Sequence, residues 1–181
     1  MLVPLNRIPS ERRAGWLRVA LAGTLVWAVV MAVVGMPMHT EQAPLGMLSF
    51  EFCVTSAAVE GVLASWDPAA QRVAAFQLGL DYVFLAAYGF TLCLGCMQAA
   101  KGWQRTAPSL ARIAAPVAWA QLVAAGCDAA ENVLLWWVLQ GVRGWAPLAA
   151  AMFAGIKVVL LVLGLAYCAG GAVSWLARRS R

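Results

Sequence analysis

Asp128, Glu131 and Asn132 stand at i, i+3 and i+4 in the stretch 125-AGCDAAENVLLWW-137. On a helix those spacings fall on one face, so two carboxylates and an amide would converge inside an otherwise apolar run. Asp81 lies in a second apolar run, 76-FQLGLDYVFLAAYG-89, and Lys157 in a third, 148-LAAAMFAGIKVVLLVLG-164. Such groups can pair, pass protons, or orient the polar end of a ligand. One lysine faces three of these acids, and four if Glu51 joins them. A register-fixing ion pair needs one acid, so the surplus points to a ligand-binding or proton-exchange pocket in which at least one carboxyl carries a proton.

The elements that must position these groups are membrane helices. The 181 residues are 63% hydrophobic and 12% charged, against roughly half and a quarter in soluble domains. Four stretches, about 17–36, 76–99, 113–139 and 148–176, reach the roughly 20 apolar residues a bilayer core requires. The first is longer than a signal-peptide apolar region of about 7–15 residues, which predicts a retained span. The fold class is therefore all-α: one integral membrane domain over 1–181, built as a bundle of four transmembrane helices.

Basic residues orient that bundle. Arg7, Arg12, Arg13 and Arg18 precede span one. Lys101, Arg105 and Arg112 lie between spans two and three, and Arg178, Arg179 and Arg181 follow span four. Only Arg72 and Arg143 occupy the intervening segments, so the positive-inside bias predicts both termini on the cytoplasmic side. Trp16, Trp103 and Trp175 near the inner ends, and Trp66, Trp136, Trp137 and Trp145 near the outer ones, agree. The net positive charge is thus an orientation signal, and no nucleic-acid partner is expected.

Residue rise places the ionisable groups together. Asp81 comes out roughly 7–8 Å below the outer surface, Glu131 about 12 Å, Lys157 about 14 Å and Asp128 about 16 Å. Gln77, Asp81 and Tyr88 share a face of span two, with Tyr88 expected to line the floor of the pocket. The outer segment at about 45–66 plots as one amphipathic helix, with Leu48, Val54, Val59, Val62, Leu63 and Trp66 on its apolar face and Ser49, Cys53, Ser56 and Glu60 opposite. Glu51 falls on the apolar face, about 180° from Glu60. A lone carboxylate there is costly, which predicts that Glu51 docks over the bundle as part of a lid. Asp67-Pro68 should end that helix at Trp66.

Other chemistry finds little support. The pair 93-CLGC-96 has the spacing of small quinone-linked thiol oxidases, but it lies near the cytoplasmic end of span two and only Cys53 is available outside. The five cysteines read as small hydrophobes. The single His39 leaves no haem or zinc site, and no metal ligands are expected. No Ser-His-Asp set or phosphate-binding glycine loop occurs.

With 80-LDYVF-84 and 128-DAAEN-132, the chain resembles a set of small bacterial four-helix integral membrane proteins of unknown function. The likeness runs from about Leu48 to Lys157 and implies a bacterial inner-membrane location. An acidic pocket in a small bundle also resembles, at the level of fold alone, the EXPERA group of sterol isomerases and sterol-binding receptors. Three functions follow as expectations. The first is a pocket of Glu51, Asp81, Tyr88, Asp128, Glu131, Asn132 and Lys157 for a lipophilic small molecule, with acid–base chemistry on it. The second is an accessory subunit of a larger membrane complex or homo-oligomer. The third is a small proton- or cation-coupled transporter, ranked low because the inner halves of the spans are apolar.

Overall fold

The structure is a computed structural model that describes residues 4, 5, 8, 9 and 11–177. Arg7, Arg178, Arg179 and Arg181 of the charge count lie outside the described residues. Among these residues every regular element is helical and no strand occurs. The elements are α1 (Arg13–Gly35), a 3-10 turn at Met36–Met38, α2 (Met47–Glu51), α3 (Ser56–Ser65), α4 (Pro68–Thr106), α5 (Pro108–Arg112), α6 (Ala114–Leu139) and α7 (Trp145–Leu176). Four of them, α1, α4, α6 and α7, are long and apolar enough to cross a membrane.

Local chemistry explains the boundaries. Asp67 Oδ1 accepts the Ala70 amide at 2.7 Å and Pro68 needs no amide partner, so α4 begins well before the apolar run that marks it in the sequence. The turn between α6 and α7 needs Gly141 and Gly144, which hold φ of 95° and 75°.

The expected single helix over 45–66 is instead two. The chain turns at Phe52, and Thr55 adopts an extended conformation in which its Oγ1 caps the Ala58 amide at 3.2 Å. A Thr cap contributes about 1 kcal/mol to starting a new helix, and it resets the phase of the residues that follow. Val59, Val62 and Trp66 are buried as expected, whereas Leu48 and Val54 are exposed and Cys53, assigned to the polar stripe, is buried.

The chain forms two compact units, and all four long helices contribute to both. One comprises Met1–Thr24, Ala86–Ala125 and Val158–Arg181. Its packing depends on missing side chains: a Cβ on Gly102 would meet the Gly171 carbonyl, and one on Gly164 would meet the Gln121 side chain. Gln121, fully buried, donates to the Val117 and Leu160 carbonyls at 3.2 and 3.1 Å. Cys96 and Cys168 approach at 3.7 Å between sulfurs, and none of the five cysteines is in a disulfide.

The other unit comprises Leu25–Leu85 and Gly126–Lys157. Its core joins α2 and α3 to the long helices through Phe50, Val59, Val62, Trp66, Leu135 and Val138. Phe50 and Trp66 pack with ring centroids 5.4 Å apart, and Trp66 Nε1 donates to the Met38 carbonyl at 2.8 Å. At the far end of α3, Ser56 Oγ accepts the Gly144 amide at 3.1 Å. This unit carries the polar cluster.

Candidate functional site

Four buried polar side chains come from two facing helices of this unit. Asp128, Glu131 and Asn132 project from one face of α6, and Lys157 from α7; each is at most 9% exposed. Ala150, Ala151 and Ala154 are buried on the turns of α7 before the lysine, and Ala150 shares a core cluster with Leu134, Leu135 and Val138 of α6. Lys157 Nζ donates to Asp128 Oδ1 at 2.9 Å and to Glu51 Oε2 at 3.3 Å. It also forms an ion pair with Glu131 Oε2 at 2.8 Å. An ammonium has three N–H donors, and here three carboxylates surround it.

The Glu131 carboxyl is the most constrained of these groups. It is fully buried, and the Lys157 ammonium at 2.8 Å is its charge partner there. Its neighbour besides Lys157 is the Glu51 carboxyl, which contributes to its electrostatics directly. Glu51 arrives from α2 as that helix's last residue, with its side chain only 14% exposed. The expected docking of Glu51 over the cluster is therefore present in the geometry, although the helix that delivers it is five residues long.

Asp81 sits beside this group on α4. Its Oδ2 accepts from Asn132 Nδ2 at 2.6 Å, so Asn132 links the fourth acid to the face that carries Asp128 and Glu131. Next to the pair is a cavity of about 20 Å³ lined by Met31, Met47, Glu51, Gln77, Leu78, Asp81 and Asn132. That is room for about one water-sized particle, far below the roughly 300–1,000 Å³ of ordinary small-molecule pockets. A larger hollow of about 750 Å³ runs along Glu11 to Val19 on the surface of α1 and touches none of the cluster.

Of the seven residues expected at the site, Glu51, Asp81, Asp128, Glu131, Asn132 and Lys157 are joined by these contacts and this cavity. The seventh, Tyr88, is buried in the other compact unit and does not line this cavity. Gln77 belongs to the cavity wall and was placed by sequence only on the same face as Asp81. The signal was present in the i, i+4 spacing, but an uncharged amide attracts less notice than an acid. Among the described residues, no three His, Cys, Asp or Glu side chains are arranged to hold a metal ion.

No family model, curated protein or solved structure matches the chain. The two acidic motifs therefore rest on their own geometry.

Proposed function

We propose that this chain is an integral membrane protein whose Lys157-centred cluster is a lidded binding site, with its carboxyls acting as acid–base groups on a lipophilic small molecule. The observation that carries the reading is the convergence of three carboxylates from α2 and α6 on one ammonium from α7. Fixing two helices needs one pair. Bringing a further carboxyl from the segment between spans makes sense where that segment closes over a site.

Membrane insertion is supported by α1, in whose most apolar window only 6% of residues are buried within the protein. Val19, Leu25, Val26, Val29 and Val33 are all exposed, and such a surface needs an apolar surround. The charge bias supports cytoplasmic termini with α2 and α3 on the outer side, in what we propose is a bacterial inner membrane. Charged groups inside a membrane bundle mark pathways and sites more often than they serve packing alone.

With Glu51 seated there is space for about one water molecule, so the ligand enters only when α2 lifts. The same small space favours a second reading, in which the network only fixes the helices of a complex subunit. A photoreactive amphiphile carrying a diazirine separates the two. Adducts on Met47, Glu51 or Leu78, competed by unreacted amphiphile, are expected for a lidded site. Adducts confined to exposed positions such as Val83 and Trp136 would leave only the structural role.

A further inference from the structure

Away from the polar cluster, Cys96 of α4 and Cys168 of α7 hold their sulfurs 3.7 Å apart within one compact unit. Glycines beside both let the helices come this close. A Cβ on Gly95 would lie 3.1 Å from Cys168 Sγ, and one on Gly171 would lie 2.7 Å from the Ala99 carbonyl oxygen. The Cys96 thiol also donates to the Gly164 carbonyl at 3.9 Å. A disulfide needs sulfurs about 2.0 Å apart, so the pair closes with a shift of under about 2 Å. The motif 93-CLGC-96 suggests a different partner for Cys96. On a helix, however, positions i and i+3 hold their Cβ atoms about 5–6 Å apart, and a disulfide wants about 3.8 Å.

The two thiols differ in access. Cys96 is fully buried, whereas Cys168 is half-buried. Leu165 and Ala172, at i−3 and i+4 from Cys168, share its face and are exposed. That face is apolar, and Cys168 stands eight residues, about 12 Å of rise, before the end of α7 at Leu176. In a bilayer, an oxidant reaching this face arrives through acyl chains. An accessible sulfur with a second sulfur behind it is the arrangement that converts a sulfenic acid into a disulfide.

We infer that Cys168 and Cys96 form an oxidant-responsive dithiol whose substrate is a lipid hydroperoxide. The Cys168 sulfur attacks the terminal peroxide oxygen, and the O–O bond breaks. The thiol proton leaves with the lipid alcohol, and Cys168 becomes a sulfenic acid. The Cys96 sulfur then attacks Cys168 Sγ, and its own proton departs with the hydroxyl as water. The two thiols lose two electrons in all, and the hydroperoxide is reduced to one alcohol and one water. The product is a disulfide joining α4 to α7, and a thiol reductant returns it to the dithiol. This chemistry is independent of the Lys157 cluster.

The test uses the full-length protein in phosphatidylcholine nanodiscs, reduced and then freed of reductant. Linoleic acid hydroperoxide is the lipid probe and hydrogen peroxide the aqueous one. Remaining thiols are blocked with N-ethylmaleimide in denaturant, and mass spectrometry after non-reducing digestion maps each cysteine. One equivalent of the lipid probe is expected to give the Cys96–Cys168 bond while Cys53, Cys93 and Cys127 stay free. Cys127 is half-buried like Cys168, so its sparing controls for exposure alone. The oxidised form should melt at least about 4 °C higher, and dithiothreitol should reverse both changes. Cys96→Ser should stop the reaction at the Cys168 sulfenic acid, which dimedone captures. Cys168→Ser should abolish it, and Cys93→Ser should react like the unaltered protein. Should a variant fail to assemble, the cysteine map of the unaltered protein decides alone. Both thiols remaining free in a large excess of the lipid probe overturns the inference. So does oxidation of Cys127 at the same rate, or a bond between Cys93 and Cys96. Faster reaction with hydrogen peroxide than with the lipid probe overturns the lipid as the oxidant's source.

Discussion

Glu51 and Lys157 are 106 positions apart in the chain and meet at 3.3 Å, tying the last residue of α2 to the middle of α7. This contact is what makes the segment between α1 and α4 part of the site. Losing it leaves the buried lysine two other carboxylate partners, Asp128 and Glu131. Removing it should therefore loosen the segment without unfolding the protein. Glu51→Ala is expected to speed amide hydrogen exchange across residues 47–52 about tenfold, equivalent to about 1.4 kcal/mol. Exchange in α6 and α7 should stay as it was. Mass-spectrometric exchange on the protein in nanodiscs reads both, and unchanged protection of 47–52 would remove the lid.

The close approach of α4 and α7 gives a second prediction, far from the polar groups. A Cβ on Gly102 would meet the Gly171 carbonyl, which is backbone and cannot rotate away. Gly102→Ala should cost about 1–3 kcal/mol, as overpacking does. Gly126 on α6 has nothing within 4 Å of such a Cβ, so Gly126→Ala should be neutral or slightly stabilising. Melting temperatures of the two variants, measured side by side, decide it.

Orientation supplies a third. The bias of basic residues predicts the α1–α4 segment outside and the α4–α6 turn inside. Gln42 and Gln104 are both exposed and make suitable reporters. In intact cells, a membrane-impermeant thiol reagent should label Gln42→Cys and leave Gln104→Cys unreacted until the membrane is opened. Labelling of position 104 from outside would invert the assignment, and with it the side on which the lid lies.

These expectations separate what the sequence carries from what it does not. Four long helices were legible because unbroken apolar runs of this length have few other uses. The meeting of Lys157 with Asp128 and Glu131 was legible as well, since helical rise fixes depth and i, i+3 spacing fixes face. The break at Phe52–Thr55 was not. An apolar periodicity read over 45–66 assumes one phase throughout, and a single Thr cap at Thr55 resets it. Glu51 was consequently placed at the right site through a helix that does not exist as drawn. Tyr88 is not in the wall of the small cavity, being seven residues, about 10 Å of rise, along α4 from Asp81. The size of the cavity was out of reach altogether, because it depends on how Met31, Met47 and Leu78 fill space around the acids.

The charge count at the cluster makes the sharpest prediction, because it is asymmetric. Lys157 is the one cation among Glu51, Asp128 and Glu131, all within 3.3 Å of its nitrogen. Lys157→Met leaves those acids facing one another without compensation, and an uncompensated buried charge costs about 3–5 kcal/mol. Glu131→Gln should cost much less. It removes one of three carboxyls around the ammonium and leaves the lysine two partners. In the Lys157→Met background the same change should be stabilising, since it removes one of the acids left in conflict. The double-mutant cycle should therefore show a coupling of about 1–3 kcal/mol between the two positions. Unfolding of the three variants in nanodiscs measures each term. Equal losses for Lys157→Met and Glu131→Gln would mean that lysine and acids form a matched structural network, and the case for a site built on surplus carboxyls would end there.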